Sequence, residues 1–197
     1  SEFLGTTNSA DIRFMTNGTE RMVVAADGKI GIGVVTPTMD FDMAGDNGFS
    51  FTSPLGSGTS TTFTGDRMNW YGKNAHFYVG GGTVTMGDSQ MGDYSFGSGY
   101  NVRPMGNYSM AIGNACDASG DYAFAGGDGS DAIGDYSFSF GFASSVTGET
   151  AIGMGRQAIS SGQSSVSLGY HTKATEDFAV ALGYQCEAND TSSYAMG

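Results

Sequence analysis

The chain has 197 residues and a net charge of −12, from 20 acidic and 8 basic residues, which argues against nucleic acid or an anionic membrane surface as its main partner. Glycine is abundant, at 33 residues against 3 prolines, but shows no Gly-X-Y period, so collagen is excluded, and no apolar run approaches the ~20 residues of a membrane span. Only 14% of residues are charged, low for a chain that keeps itself soluble alone, so other subunits are expected to cover much of its surface.

In chain order, Ser1-Glu2-Phe3 reads as a cloning remnant ahead of an excised fragment. Residues 4–37 read as a β-meander connector. Asp11-Ile-Arg-Phe-Met-Thr16 and Thr19-Glu-Arg-Met-Val-Val24 flank Asn17-Gly18, a strong short hairpin signal, and Asp27-Gly28 turns the chain into Lys29-Ile-Gly-Ile-Gly33. The run from Asp11 to Met22, followed by Gly31-Ile-Gly33 and Pro37, resembles a stalk module of phage tail fibres and related bacterial fibre proteins. That resemblance implies a trimeric connector of the β-meander or β-prism kind.

Residues 38–91 read as a less regular β segment. Asp42 to Gly65 is rich in Gly, Ser and Thr with scattered Phe, as expected of a loop-rich stretch. Arg67-Met-Asn-Trp-Tyr71 and Ala75-His-Phe-Tyr-Val79 read as two strands around Gly72-Lys-Asn74. Trp70, Tyr71, His76, Phe77 and Tyr78 are the densest aromatic cluster outside the repeats, and a ligand pocket, if there is one, is expected at Trp70, Tyr71, His76 and Tyr78 beside these loops. The competing reading of the same cluster is a packed plug between connector and repeats.

From residue 92 to 197 the chain repeats every 14 residues. Units begin at Gly92, Gly106, Gly120, Gly134, Gly148, Gly162 and Glu176, with a partial unit from Asp190, and the eighth residue is always glycine: Gly99, Gly113, Gly127, Gly141, Gly155, Gly169, Gly183 and Gly197. Helical repeats are longer, about 33 to 47 residues, so each unit is expected to be one coil of a parallel β-solenoid, two short strands and two glycine-marked turns. Numbering columns by position in the unit, columns 4, 6, 11 and 13 are small, columns 10 and 12 largely polar, and columns 5 and 7 mostly bulky. Period-two alternation then puts the small columns inside a thin coil and the bulky ones outside. Met110, Ile112, Phe138, Phe140, Ile152, Met154, Val166, Leu168, Val180 and Leu182 would form a long apolar stripe on a lone chain, which marks an interface, most simply among three identical chains about a threefold axis.

Units such as Gly106-Asn-Tyr-Ser-Met-Ala-Ile-Gly113 and Gly162-Gln-Ser-Ser-Val-Ser-Leu-Gly169 resemble the head repeats of trimeric autotransporter adhesins, the YadA-like heads, across residues 92–197. The resemblance implies an all-β, homotrimeric, left-handed parallel β-roll on an extracellular surface fibre. The third unit departs from the pattern, with Gly126 in the bulky seventh column followed by Asp128-Gly-Ser130.

Cys116 and Cys186 share column 11 five coils apart, roughly 24 Å at the spacing of stacked strands, too far for a disulfide, and are expected to be inert internal thiols. No catalytic constellation is evident: His76 and His171, the two histidines, lie in different segments without a base or metal-ligand pattern. Asp93, Asp121, Asp135 and Asp177 form a ladder at column 2. Calcium is a conceivable ligand for it, but Asn107, Glu149 and Gln163 interrupt it, and a turn role fits better. Tyr94, Tyr108, Tyr122 and Tyr136 stack at column 3, where packing between coils competes with sugar binding.

The expected function is adhesion or recognition of a host or prey cell surface by a cofactor-free, metal-free, non-enzymatic homotrimer, the partner being a cell-surface glycan or envelope component, with no nucleic acid and no membrane insertion. The location is extracellular, on a bacterial surface fibre or a phage virion, since both share these modules. A purely structural shaft with its binding tip elsewhere, or a polysaccharide-degrading tail spike with paired carboxylates in a groove, are the alternatives.

Overall fold

The computed structural model describes residues 5–44, 67–71, 75–82 and 91–197, with only the backbone described at residues 67 and 69–71. The loop-rich stretch from residue 45 to 66 and the turn at 72–74 lie outside them. Two compact units divide the chain, Ser1–Ser50 and Phe51–Gly197. The described residues form strands and turns, and no helix among them is long and apolar enough to cross a membrane.

In the first unit, β1 (Ile12–Thr16) and β2 (Thr19–Val24) form an antiparallel hairpin, β3 (Ile30–Ile32) pairs antiparallel with β2, and β4 (Phe41–Met43) lies parallel to β3. Asn17 and Gly18 both take positive φ, 50° and 70°, as a type I′ turn requires. The register sorts side chains sharply. Ile12, Phe14, Met22, Val24, Ile30, Ile32, Phe41 and Met43 share one face, while Arg13, Val23, Gly31 and Asp42 share the other. Val23 is buried, yet Phe14, Ile32, Phe41 and Met43 remain exposed, so this sheet has an apolar face that its own chain leaves uncovered.

The second unit is a two-sided parallel solenoid. Its long strands are β7 (Phe96–Tyr100), β9 (Met110–Asn114), β11 (Phe124–Asp128), β13 (Phe138–Phe142), β15 (Ile152–Arg156), β17 (Val166–Tyr170), β19 (Val180–Tyr184) and β21 (Tyr194–Met196). Between them run short strands: β8 (Arg103–Pro104), β10 (Asp117–Ala118), β12 (Asp131–Ala132), β14 (Ser145–Val146), β16 (Ile159–Ser160), β18 (Lys173–Ala174) and β20 (Glu187–Ala188). From β7 to β21 and from β8 to β20 every step advances by one 14-residue unit without a register shift, for example Phe138↔Ile152 and Asp131↔Ser145. The long-strand sheet starts ahead of residue 92. β5 (Arg67–Tyr71) pairs antiparallel with β6 (His76–Gly81), which stacks parallel on β7 with Phe77 opposite Phe96.

The core is the thin space between the two sheets, filled by small residues: Ala111, Ala125, Ala181, Cys116, Ala118 and Ser139 are all buried. Sizes compensate across it. A Cβ on Gly153 would come within 2.6 Å of Val146, the bulkiest residue of column 13. Both cysteines are free and buried in column 11, and burial pushes the Cys116 thiol pKa up, so its reactive thiolate is disfavoured.

The turns are made differently from the glycine-corner expectation. Columns 3 and 10 carry the left-handed φ, 49° to 59°, on residues that include Tyr108, Tyr122, Ala115 and His171. Bonds to the preceding coil hold them there, such as Tyr108 N–H to the Asp93 carbonyl and Ala115 N–H to the Tyr100 carbonyl, each 2.8 Å. The column 8 glycines instead lie within the long strands at φ of 109° to 139°. Those at column 1 are required by close approach, since a Cβ on Gly120 would meet the Gly134 carbonyl oxygen at 2.1 Å. The divergent third unit keeps the same path, because Phe124 and Phe140 close over Gly126 and Gly129 supplies the column 10 turn at φ 63°.

Column 4 alternates Ser and Ala. The hydroxyls of Ser95, Ser109, Ser137 and Ser165 are buried with no hydrogen-bond partner among the described residues, whereas Ala123, Ala151 and Ala179 occupy the same place in other coils. Ser137→Ala is therefore expected to stabilise the roll by about 0.5–1 kcal/mol, since it removes a polar atom desolvated without recompense. Equilibrium denaturation checks this; a comparable loss would mean that the hydroxyl finds a partner in solution.

Candidate interaction surface

The outward face of the long-strand sheet carries columns 5, 7 and 9. In columns 5 and 7, Met110, Ile112, Phe140, Ile152 and Met154 are between 37% and 47% exposed, while Phe138, Val166, Leu168, Val180 and Leu182 are half-buried against their neighbours in the stack. Aromatic members stack face to face, Phe124 on Phe138 at 4.8 Å and Phe77 on Phe96 at 5.8 Å between ring centroids. All ten residues expected at an interface thus lie on one continuous face and make a stripe that this chain does not cover.

Column 9 is a feature that the sequence alone does not single out. It runs Tyr100, Asn114, Asp128, Phe142, Arg156, Tyr170, Tyr184, in register beside the apolar stripe. The Arg156 guanidinium lies 5.3 Å from the Phe142 ring centroid and 5.4 Å from that of Tyr170, and Tyr170 stacks on Tyr184 at 5.2 Å. Its signal is the residue after each column 8 glycine, but the alternation of aromatic and charged types hides it from a search for apolar columns.

Of the four residues expected at a ligand pocket, His76 and Tyr78 point into the coil and are only 3% and 1% exposed. Tyr78 caps the inner space: its hydroxyl donates to the Gly81 carbonyl at 3.3 Å, and a Cβ on Gly97 would lie 2.7 Å from its ring. Trp70 and Tyr71, on β5, pair through their backbones with Phe77 and His76 on β6.

The column 3 tyrosines form a tight ladder, with centroids 4.8 to 4.9 Å apart and planes within 5°. The inner rings cover one another's faces, so edges and hydroxyls are what they offer to water. At column 2 the carboxylate and amide oxygens accept backbone N–H groups of the preceding coil: Asn107 from Asp93 at 3.0 Å, Asp121 from Asn107 at 2.8 Å, Asp135 from Asp121 at 2.9 Å. These bonds tie coil to coil and engage one oxygen of each side chain. Among the described residues no cluster of three or more His, Cys, Asp or Glu is placed to hold a metal.

Column 12 brings like charges together. Arg103 forms a two-point ion pair with Asp117, its Nε donating at 2.6 Å, which leaves Asp131 next in the stack without a cation of its own among the described residues. Burial pushes the Asp131 carboxyl up, the Asp117 charge adds to this, and Arg103 opposes it. An acid with a raised folded pKa favours the fold below the unfolded carboxylate pKa, and that contribution is lost as pH rises through the folded value. Asp131→Asn should therefore stabilise the roll at pH 7 by up to about 0.5 kcal/mol and make no difference near pH 3. Thermal denaturation across that range checks the sign; a loss at pH 7 would contradict it.

No curated protein matches this chain. Residues 106–130 and 160–185 each match the YadA head domain repeat, two copies that fall wholly within the parallel solenoid. Their 14-residue coils, small inner columns and outward apolar stripe recur along the solenoid, so the roll is similar to a YadA head.

Proposed function

We propose that the chain is a homotrimeric, extracellular adhesin segment that recognises a host or prey cell surface multivalently, through glycans or other envelope components. The observation that carries this reading is the uncovered apolar stripe of columns 5 and 7, which runs along the roll from β7 to β21. Burying it among identical chains about a threefold axis satisfies each copy equally and lines up three sets of outer surfaces on one particle. Three weak sites on one particle bind a repetitive glycan far more tightly than one. The apolar face of the β1–β4 sheet supports the same reading and fits a trimeric connector of the kind found in phage tail fibres and bacterial fibres. Adhesion needs no cofactor, and the carrier is a bacterial surface fibre or a phage virion.

Light scattering tests the assembly: a mass of about 61 kDa, three times 20.3 kDa, is expected. Binding of the labelled trimer to intact cells, competed by purified envelope polysaccharide, tests recognition. The burial of His76 and Tyr78 favours a second reading, in which this segment is a spacer and the ligand site lies elsewhere in the particle. A trimer that binds no cell or polysaccharide would establish the spacer.

A further inference from the structure

We infer that Arg156 pairs with Glu149 of the next subunit and so fixes the register in which the three rolls pack, an inference that rests on the trimeric reading above. The apolar stripe alone selects register poorly. Columns 5 and 7 are apolar in most coils, Ser98 and Gly126 being the exceptions in column 7, so chains displaced by one coil, about 4.8 Å, would bury much the same surface. A feature present in only one coil is needed to break that degeneracy, and a single charged or polar pair at a repetitive apolar seam does so in other assemblies.

The roll holds three cations, Arg103, Arg156 and Lys173. Two are satisfied within the chain one coil on, Arg103 by Asp117 and Lys173 by Glu187 at 2.7 Å. Arg156 has no carboxylate partner among the described residues. Phe142 and Tyr170, one coil to either side, flank its guanidinium at 5.3 and 5.4 Å, and the residue is exposed, so its N–H groups remain available to an outside acceptor. Glu149 is the one carboxylate in the same coil, residues 148–161. Asn107, Asp121, Asp135 and Asp177 each accept a backbone N–H from the coil before, but the Glu149 carboxylate accepts none among the described residues and is exposed.

Both residues belong to the coil of residues 148–161, at opposite ends of its long strand: Glu149 at column 2 before β15, Arg156 at column 9 closing it. With columns 5 and 7 turned to a threefold axis, each long strand crosses its own wall of the trimer. Rotation then brings the column 9 end of one chain to the column 2 end of the next, identical coils level with one another. The unpaired guanidinium and the unpaired carboxylate meet there, three times per particle.

The test compares the full chain with Glu149→Arg, Arg156→Glu and the exchanged double variant, following trimer dissociation on dilution by light scattering at low salt and in about 0.5 M NaCl. Each single variant is expected to dissociate at least about tenfold more readily, and the double variant to recover most of that loss, with the difference shrinking at high salt. Both positions lie at the surface of the single chain, so far-ultraviolet circular dichroism should show the β-roll intact in every variant. Additive losses in the double variant, or an Arg156→Glu trimer as tight as the wild type, overturn the pair while the trimer stands. A wild-type mass of about 20 kDa would instead sink the trimeric reading and this one with it. A tight Arg156→Glu trimer that no longer binds an acidic polysaccharide would also overturn the pair and assign the arginine to a ligand.

Discussion

Gly141→Ala is expected to break the roll in its middle, at a cost of at least about 3–5 kcal/mol. Gly141 sits inside β13 at φ 137°, a region that L side chains rarely adopt. A Cβ there would also lie 1.9 Å from the Gly155 carbonyl oxygen and 2.8 Å from its carbon, both backbone atoms of the next coil. No side chain can swing aside to relieve that contact, so β13 and β15 must part. In a stack where each coil touches only its neighbours, separation at one step uncouples the coils on either side. Thermal denaturation should show a large fall in midpoint, and hydrogen exchange should show protection lost first around residues 138–156.

Gly129→Ala is the control. That residue has φ 63° with nothing within 4 Å of the place an added methyl would take, and its column carries Ala115 and Ala143 at φ 49° and 50° in neighbouring coils. The cost there should be no more than about 1 kcal/mol. Equal losses at the two positions would show that glycine serves general flexibility in this roll, and the steric account would fail.

The contrast between those two glycines also marks how far the sequence could be read. Counting by fourteens located every coil from residue 92 onward, because the solenoid demands the same side-chain size at the same place in each turn. Alternation within the strand then separated Ala111 and Ala125, inside, from Met110 and Ile112, outside, and the burial follows that division. What counting could not supply was backbone conformation. Gly141 and Gly129 look alike in a sequence, and nothing about Tyr108 or Tyr122 announces a left-handed φ, since bonds from the preceding coil impose it. The aromatic cluster shows the same limit. The sequence left His76 and Tyr78 between a ligand pocket and a packed plug, because nothing in it showed that β6 is a further strand of the same sheet, along which alternation sends those two side chains inward. The partnering of Arg156 was also hidden. An arginine between Phe142 and Tyr170 is visible only once residues fourteen apart are known to stack.

Phe140→Asp combined with Met154→Asp should leave the coil folded and destroy the assembly. Within one chain both side chains are already exposed, 47% and 40%, so a carboxylate at either place keeps its water when the chain is alone. At a threefold axis the same change is repeated in each subunit. Losing the burial of one such side chain costs about 1.5–3 kcal/mol, so one substituted position costs about 5–9 kcal/mol per trimer, and six carboxylates brought together add repulsion in a poorly solvated place. That exceeds what most assemblies of this size hold in reserve, so the particle should fall from about 61 kDa to 20.3 kDa at micromolar concentration. Far-ultraviolet circular dichroism should keep its β signature, because the inner columns and the coil-to-coil hydrogen bonds are untouched. The paired control is Lys173→Asp on β18, at column 12 of the opposite sheet, which removes the surface ion pair with Glu187 and should cost no more than about 1 kcal/mol with no change in mass. An intact trimer in the doubly substituted protein would mean that the stripe faces something other than its own copies. The multivalent reading would then lose the observation that carries it, because burial of that stripe is what brings three sets of outer surfaces onto one particle.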